Sequence, residues 1–106
     1  MIKNIDKINE IKRSSVMKSA ILASHDPNIE KLVVFGSAVR DDCRKSSDSD
    51  FCFFVLPNHD KKVFNRTLIK ICSACEGDVD TLRYDLLRGR IVDEINTKGV
   101  VVYDRL

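Results

Sequence analysis

Apolar residues recur along this chain with two periods, and the alternation of those periods lays out its elements. Ile5, Ile8, Ile11, Met17, Ala20 and Ile21 fall at mostly helical spacing among Lys, Arg, Glu and Asn, which predicts an amphipathic helix from Ile5 to about Ser24. His25, Asp26, Pro27 and Asn28 break it, and Lys31-Leu32-Val33-Val34-Phe35 then reads as a buried strand ended by Gly36. A polar stretch from Ser37 to Ser47 gives way to Asp50-Phe51-Cys52-Phe53-Phe54-Val55-Leu56. That run is apolar on both alternating faces, so it predicts a central strand, closed by Pro57. Between Asp60 and Cys75, the residues Phe64, Leu68, Ile71, Cys72 and Cys75 mark one side of a helix, with Gly77 as its stop. Asp78 to Leu82 alternates as a short strand, Val79 and Thr81 facing away from Asp78 and Asp80. A last helix, roughly Arg90 to Thr97, carries Ile91, Val92 and Ile95. Gly99 closes it before a final strand, Val100 to Tyr103. Helix and strand alternate throughout, so the expected class is α/β (α+β), about four strands flanked by helices.

Length limits what such a fold can hold. The 106 residues, 43% of them hydrophobic, describe one domain over 1–106, with little chain left for a lobe that would bind a second substrate. The 18 basic and 16 acidic residues are interspersed along the chain, which gives non-specific nucleic-acid binding little support. Four cysteines stand at 43, 52, 72 and 75. Only Cys72 and Cys75 have CxxC spacing, and the remaining zinc candidates Cys43, His25 and His59 are scattered over loops, so free thiols are expected. Neither a signal peptide nor an apolar run of membrane-spanning length is found, so a cytoplasmic setting with no membrane association is expected.

The stretch that carries chemistry joins Gly36-Ser37-Ala38-Val39-Arg40 to Ser47-Asp48-Ser49-Asp50-Phe51. A glycine at a strand-to-helix turn lets backbone N–H groups approach a polyphosphate, the helix N-terminus adds partial positive charge, and Ser37 can donate its hydroxyl. Arg40, one helical turn on, could reach the same anion. Asp48 and Asp50 lie two apart in an extended segment, so both carboxylates point to one face while Ser49 points away. Hard cations take such oxygen pairs: Mg²⁺ is held by one or two carboxylates plus substrate phosphate oxygens. Asp80, on a neighbouring strand, supplies the third carboxylate that a second metal ion, or activation of an acceptor hydroxyl, would need. Isolated, each of these motifs also fits an ordinary turn or a solvated strand start; it is their conjunction that points to phosphate chemistry.

The run from Gly36 to Phe51 resembles the GSxxR(G)…SDxD signature of the DNA polymerase beta-like nucleotidyltransferase superfamily. More narrowly, nearly the whole chain is similar to the minimal nucleotidyltransferases. The resemblance implies a nucleotidyltransferase fold with a mixed sheet. It implies triphosphate binding at Gly36 and Ser37, metal binding at Asp48 and Asp50, and Asp80 as the third catalytic acid; Arg40 and Ser47 are further nucleotide-binding candidates, and the three acids are expected to hold a pair of Mg²⁺ ions. It further implies transfer of a nucleoside monophosphate, AMP from ATP, to a hydroxyl with release of pyrophosphate. Minimal members commonly pair with a helical HEPN protein, in several cases a ribonuclease toxin that the nucleotidyltransferase neutralises by adenylylation. Asp41 stands where the family usually has glycine, and Ser49 replaces the common aliphatic residue between the two acids.

An acceptor pocket does not fit within so short a chain, so a partner protein is expected, touching exposed apolar residues of the first helix; a homo-oligomer is left open. The second reading is a catalytically weak nucleotide-binding or antitoxin module that acts by covering its partner. Transfer to an antibiotic or other small molecule fits less well without a second domain. His25 and His59 are read as surface residues, and Tyr84 and Tyr103 could stack on a base, although Tyr103 ends an apolar strand and is more simply packing.

Overall fold

The computed structural model describes residues 1–106. Its elements run α1 (Arg13–Ser24), β1 (Ile29–Phe35), β2 (Ser49–Val55), α2 (Lys61–Ala74), β3 (Val79–Arg83), α3 (Arg90–Lys98) and β4 (Val100–Asp104). The strands form one mixed sheet in the order β3-β2-β1-β4. β1 runs antiparallel to both β2 and β4, and β2 and β3 are parallel, joined by α2 as a crossover. Central β1 and β2 are apolar on both faces because both faces are covered.

On one face Leu32, Val34, Phe51, Phe53 and Val102 pack with Val16, Ala20 and Ala23 of α1 and Phe64 and Ile71 of α2. Phe51 and Phe53 are fully buried, which stabilises the fold by ~2–3 kcal/mol each. On the other face Val33, Phe35 and Cys52 pack with Ile95 of α3. Gly99 lets β4 follow α3 closely, since a Cβ there would stand 2.4 Å from the Ile95 carbonyl oxygen and 2.5 Å from Val33 Cγ1. Outside β4, the N-terminal segment closes the sheet edge: Ile2 bridges Tyr103, and Lys3 N–H donates to the Val102 carbonyl. β3 forms the opposite, open edge.

The first predicted helix is shorter and turned differently from its periodicity. Residues 5–12 form two 3₁₀ turns, Ile5–Lys7 and Glu10–Lys12, and regular α-helix begins only at Arg13. Asn4 takes φ 59°, Ile8 is extended, and the Asn9 side chain accepts the Ile11 N–H, so the backbone is interrupted at three places. The face of α1 turned inward is small: Ser15, Val16, Ser19, Ala20 and Ala23 are buried, whereas Ile11, Met17 and Ile21 are exposed. The Ser19 hydroxyl is satisfied by the Ser15 carbonyl, which lets a serine lie against the sheet.

The other elements fall within two residues of their predicted bounds. Asp60 caps α2 by accepting the Lys62 and Val63 N–H groups. Cys72 is exposed rather than on the buried stripe, and all four cysteines are free. No helix is long and apolar enough to cross a membrane.

Candidate nucleotide and metal site

β1 and β2 meet at their ends in the rung Phe35↔Asp50, which sets Gly36 beside the Asp50 side chain. Gly36 has φ +72°, and a Cβ built there would lie 2.2 Å from Asp50 Oδ2. Glycine suits both the conformation and the space, and a side chain there would have to displace the Asp50 carboxylate. One strand over, the parallel ladder places Asp80 directly opposite Asp50. Residues opposite each other on adjacent strands share a face. Phe51 and Phe53 belong to the α1–α2 face, so alternation turns Asp50, and with it Asp80, to the α3 face. Asp48 lies two residues ahead of Asp50, and Ser49 between them is buried on the opposite side with its hydroxyl unpartnered.

The result is a concentration of negative charge. Burial first, then the Asp80 carboxyl by hydrogen bonding and by charge, then the charges of Asp48 and Glu94, push the Asp50 carboxyl up to about 6. None of the chain's ion pairs involves Asp48, Asp50, Asp80 or Glu94. Oxygen donors crowded together without an internal cation suit a hard divalent ion. No group of three or more His, Cys, Asp or Glu side chains is already arranged to hold a metal. By chemistry the donors are all carboxylate oxygens, the kind that Mg²⁺ shares with the phosphates of a bound nucleotide.

The phosphate side differs from its expectation in four respects. Gly36–Val39 is a four-residue 3₁₀ turn instead of a helix, too short for a useful macrodipole. Asn9 prevents more, because its backbone N–H takes the Ala38 carbonyl and its side-chain amide takes the Arg40 carbonyl, both at 2.8 Å. The Ser37 hydroxyl donates to the Asp48 carbonyl at 3.3 Å, tying the two signature segments together. Arg40 leaves the turn extended and pairs with exposed Asp42 at 3.1 Å, while the Ser47 hydroxyl accepts the Arg44 N–H and braces the loop. Gly36, Val39 and Arg40 line a cavity of about 220 Å³ with Glu94 and Lys98 of α3. A larger cavity of about 390 Å³, among Phe53, His59, Phe64 and Leu87, contains none of the carboxylates.

Three contributors had no signal in the sequence. Lys12 is only 3% exposed, and its ammonium donates to the Lys45 and Ser47 carbonyls at 3.2 and 2.5 Å, pinning the loop that delivers Asp48. A lysine beside Ile11 reads as a solvated residue until the loop is seen to wrap over it. Glu94 and Lys98 look like an ordinary i, i+4 surface pair; only the docking of α3 against β1 brings them to Gly36. Cys52, between Asp50 and Phe54, is no nucleophile, since burial and then the Asp85 charge push its thiol up to about 12.

Comparison with known proteins agrees with this architecture. Residues 18–106 match the family model described as Polymerase beta, Nucleotidyltransferase. A search of curated protein sequences gave no significant match. Among solved structures, a chain of a toxin–antitoxin crystallised with AMP-PNP superposes with TM-score 0.66 at 20% identity, over 85% of this chain and 71% of that one. The MntA–HepT toxin–antitoxin gives 0.60 at 18% identity, over 86% and 70%. A tri-AMPylated Shewanella oneidensis HEPN toxin in complex with MNT antitoxin gives 0.57 at 19%, over 84% and 66%. At such identities the likeness speaks for the fold, and the family model speaks for the lineage. The chain belongs to the polymerase beta nucleotidyltransferase family.

Proposed function

We propose that residues 1–106 form one nucleotidyltransferase domain that moves AMP from ATP onto a hydroxyl of a helical, HEPN-type partner protein, as the antitoxin of a toxin–antitoxin pair in the cytoplasm. The observation that carries the reading is the rung Asp50↔Asp80 set against Gly36, where a side chain would displace the Asp50 carboxylate. Similarity to toxin–antitoxin complexes, one of them with an AMPylated HEPN toxin, supports the choice of partner.

In this reading the Gly36–Val39 turn and the Ser37 hydroxyl receive the triphosphate, with Arg40 and Ser47 at its margin. Asp48, Asp50 and Asp80 would hold Mg²⁺, one ion or a pair, which when bound would neutralise the triphosphate and the charge growing on the leaving group. Asp80, exposed and opposite Asp50, accepts the proton of the acceptor hydroxyl. The acceptor oxygen forms its bond to the α-phosphorus as the bond to the bridging oxygen breaks, and pyrophosphate leaves. Positioning and electrostatics do the work.

Incubation with α-labelled ATP, Mg²⁺ and the candidate helical partner should label the partner, and Asp50→Asn or Asp80→Asn should abolish the label. A second reading, a weakly active module that neutralises by covering its partner, draws on the engagement of Arg40 by Asp42 and the extra charge of Asp41. It would keep neutralisation intact in Asp48→Asn, whereas the enzyme would lose it.

A further inference from the structure

Folding segregates charges that the sequence intersperses. α1 and α2, which together cover one face of the sheet, carry Arg13, Lys18, Lys61, Lys62, Arg66 and Lys70 and no Asp or Glu at all. The chain as a whole is nearly balanced, at 18 basic against 16 acidic residues. All six cations are exposed, and none has an acidic partner. Of the acids beside these helices, Asp26 is buried against Thr67 and Asn28 and Asp60 caps α2, while Asp6 and Glu10 stand beside Arg13 and Glu76 follows α2, none of them paired with a cation of α2. Among these cations stand Met17 at 39%, Ile21 at 41% and Ile69 at 66% exposure. The carboxylates of the nucleotide site lie on the other face of the sheet.

We propose that the α1–α2 face docks an acidic amphipathic helix of a second protein. Three features select this occupant. Lys62, Arg66 and Lys70 repeat at i, i+4 and i+8, one helical turn apart, which matches Glu or Asp at the same spacing on an opposing helix. The crevice between α1 and α2 sets Arg66 and Lys70 beside the apolar Leu22 and Val63, and its one acid, Asp26, is tied to Thr67 and Asn28, so the two cations would receive an acidic residue together with an aliphatic neighbour. No exposed aromatic side chain lies on α1 or α2 for a nucleic-acid base to stack on, while isoleucine and methionine are offered to solvent. The acids of the opposite face would repel the same helix, so charge also fixes which side it meets. Docking here leaves the nucleotide site open, and the inference holds whether or not the chain turns over substrate.

The test titrates the ¹⁵N-labelled full chain with a synthetic helical peptide bearing Glu at i and i+4 beside Leu, and in parallel with a single-stranded RNA oligonucleotide. Saturable shifts confined to α1 and α2 are expected, with the peptide affinity about tenfold weaker in K62E/R66E/K70E and weakened also in M17S/I21S/I69S, which keeps the charge. Circular dichroism checks that both variants are folded. The proposal is overturned if the peptide does not saturate or shifts other amides, if the serine variant binds it unchanged, or if RNA occupies the same amides more tightly. Self-association of the free chain that K62E/R66E/K70E abolishes would make the occupant a second copy, and would overturn it too.

Discussion

Replacing Asp50 by Asn should make the metal-free protein more stable at neutral pH, although it removes a residue central to the site. The folded carboxyl titrates at about 6 against an ordinary 3.8. At about 1.4 kcal/mol per tenfold change in proton affinity, that gap sets a ceiling of ~3 kcal/mol. Because the group is partly solvated, we halve it, to ~1.5 kcal/mol. The sign follows from proton binding. Between 3.8 and about 6 the folded state keeps a proton that the unfolded state has lost, so stability is highest below that window, falls as pH rises through it, and is level above. Asparagine cannot ionise and has no such decline. Unfolding of wild type and Asp50→Asn, followed by circular dichroism in EDTA at pH 3.5, 5 and 7, should show near-equality at the acid end. At pH 7 the variant should lead by ~1.5 kcal/mol, or ~7 °C in midpoint for a domain of this size. Mg²⁺ should then stabilise wild type and not the variant. A variant no more stable than wild type at pH 7, or a difference that does not change with pH, would refute the crowding of carboxylates on which the site depends.

Other outcomes follow from single contacts. Gly36→Ala forces a Cβ against Asp50 Oδ2 in a left-handed conformation. It should cost ~1–3 kcal/mol and abolish transfer, with a double-mutant cycle showing coupling to Asp50. Lys12→Met strands the Lys45 and Ser47 carbonyls and should lower stability in urea by ~1–3 kcal/mol; an unchanged midpoint would show that the loop holds itself. Ser49→Ala removes a buried, unpartnered hydroxyl and should gain ~1 kcal/mol, read as a higher denaturation midpoint. Thiol labelling of the native protein should reach exposed Cys72 first and spare Cys52 until unfolding; early reaction of Cys52 would contradict its burial.

The parts legible in the sequence were those with a single dominant cause. Continuous apolar runs bounded by Gly36 and Pro57 could only be buried strands, and an aspartate two residues before another at a strand mouth could only share its face. Asp80 was legible as an acid on a short strand, but its exact partner was not, because register depends on how Phe51 and Phe53 pack against α1 and α2, which no pattern within the strand encodes. The N-terminal segment misled for a related reason. Its isoleucines suggest a face, yet close approach to the sheet favours the small Ala20, Ala23 and Ser19, and the larger side chains are turned out. Arg40 was sequentially right for an anion and sterically diverted by Asp42. Lys12, Glu94 and Lys98 belong to elements whose mutual docking no local pattern encodes.

The parallel pairing of β2 with β3 has a last consequence, for how the protein can be damaged. The spacing of Asp50 from Asp80 is gauged by main-chain hydrogen bonds, and a slip of one residue would send Asp80 through to the oily side of the sheet. Greasy residues remote from any phosphate therefore act as guardians of the acids' alignment. Lesions that loosen them should silence the protein while leaving every charged group in the sequence untouched.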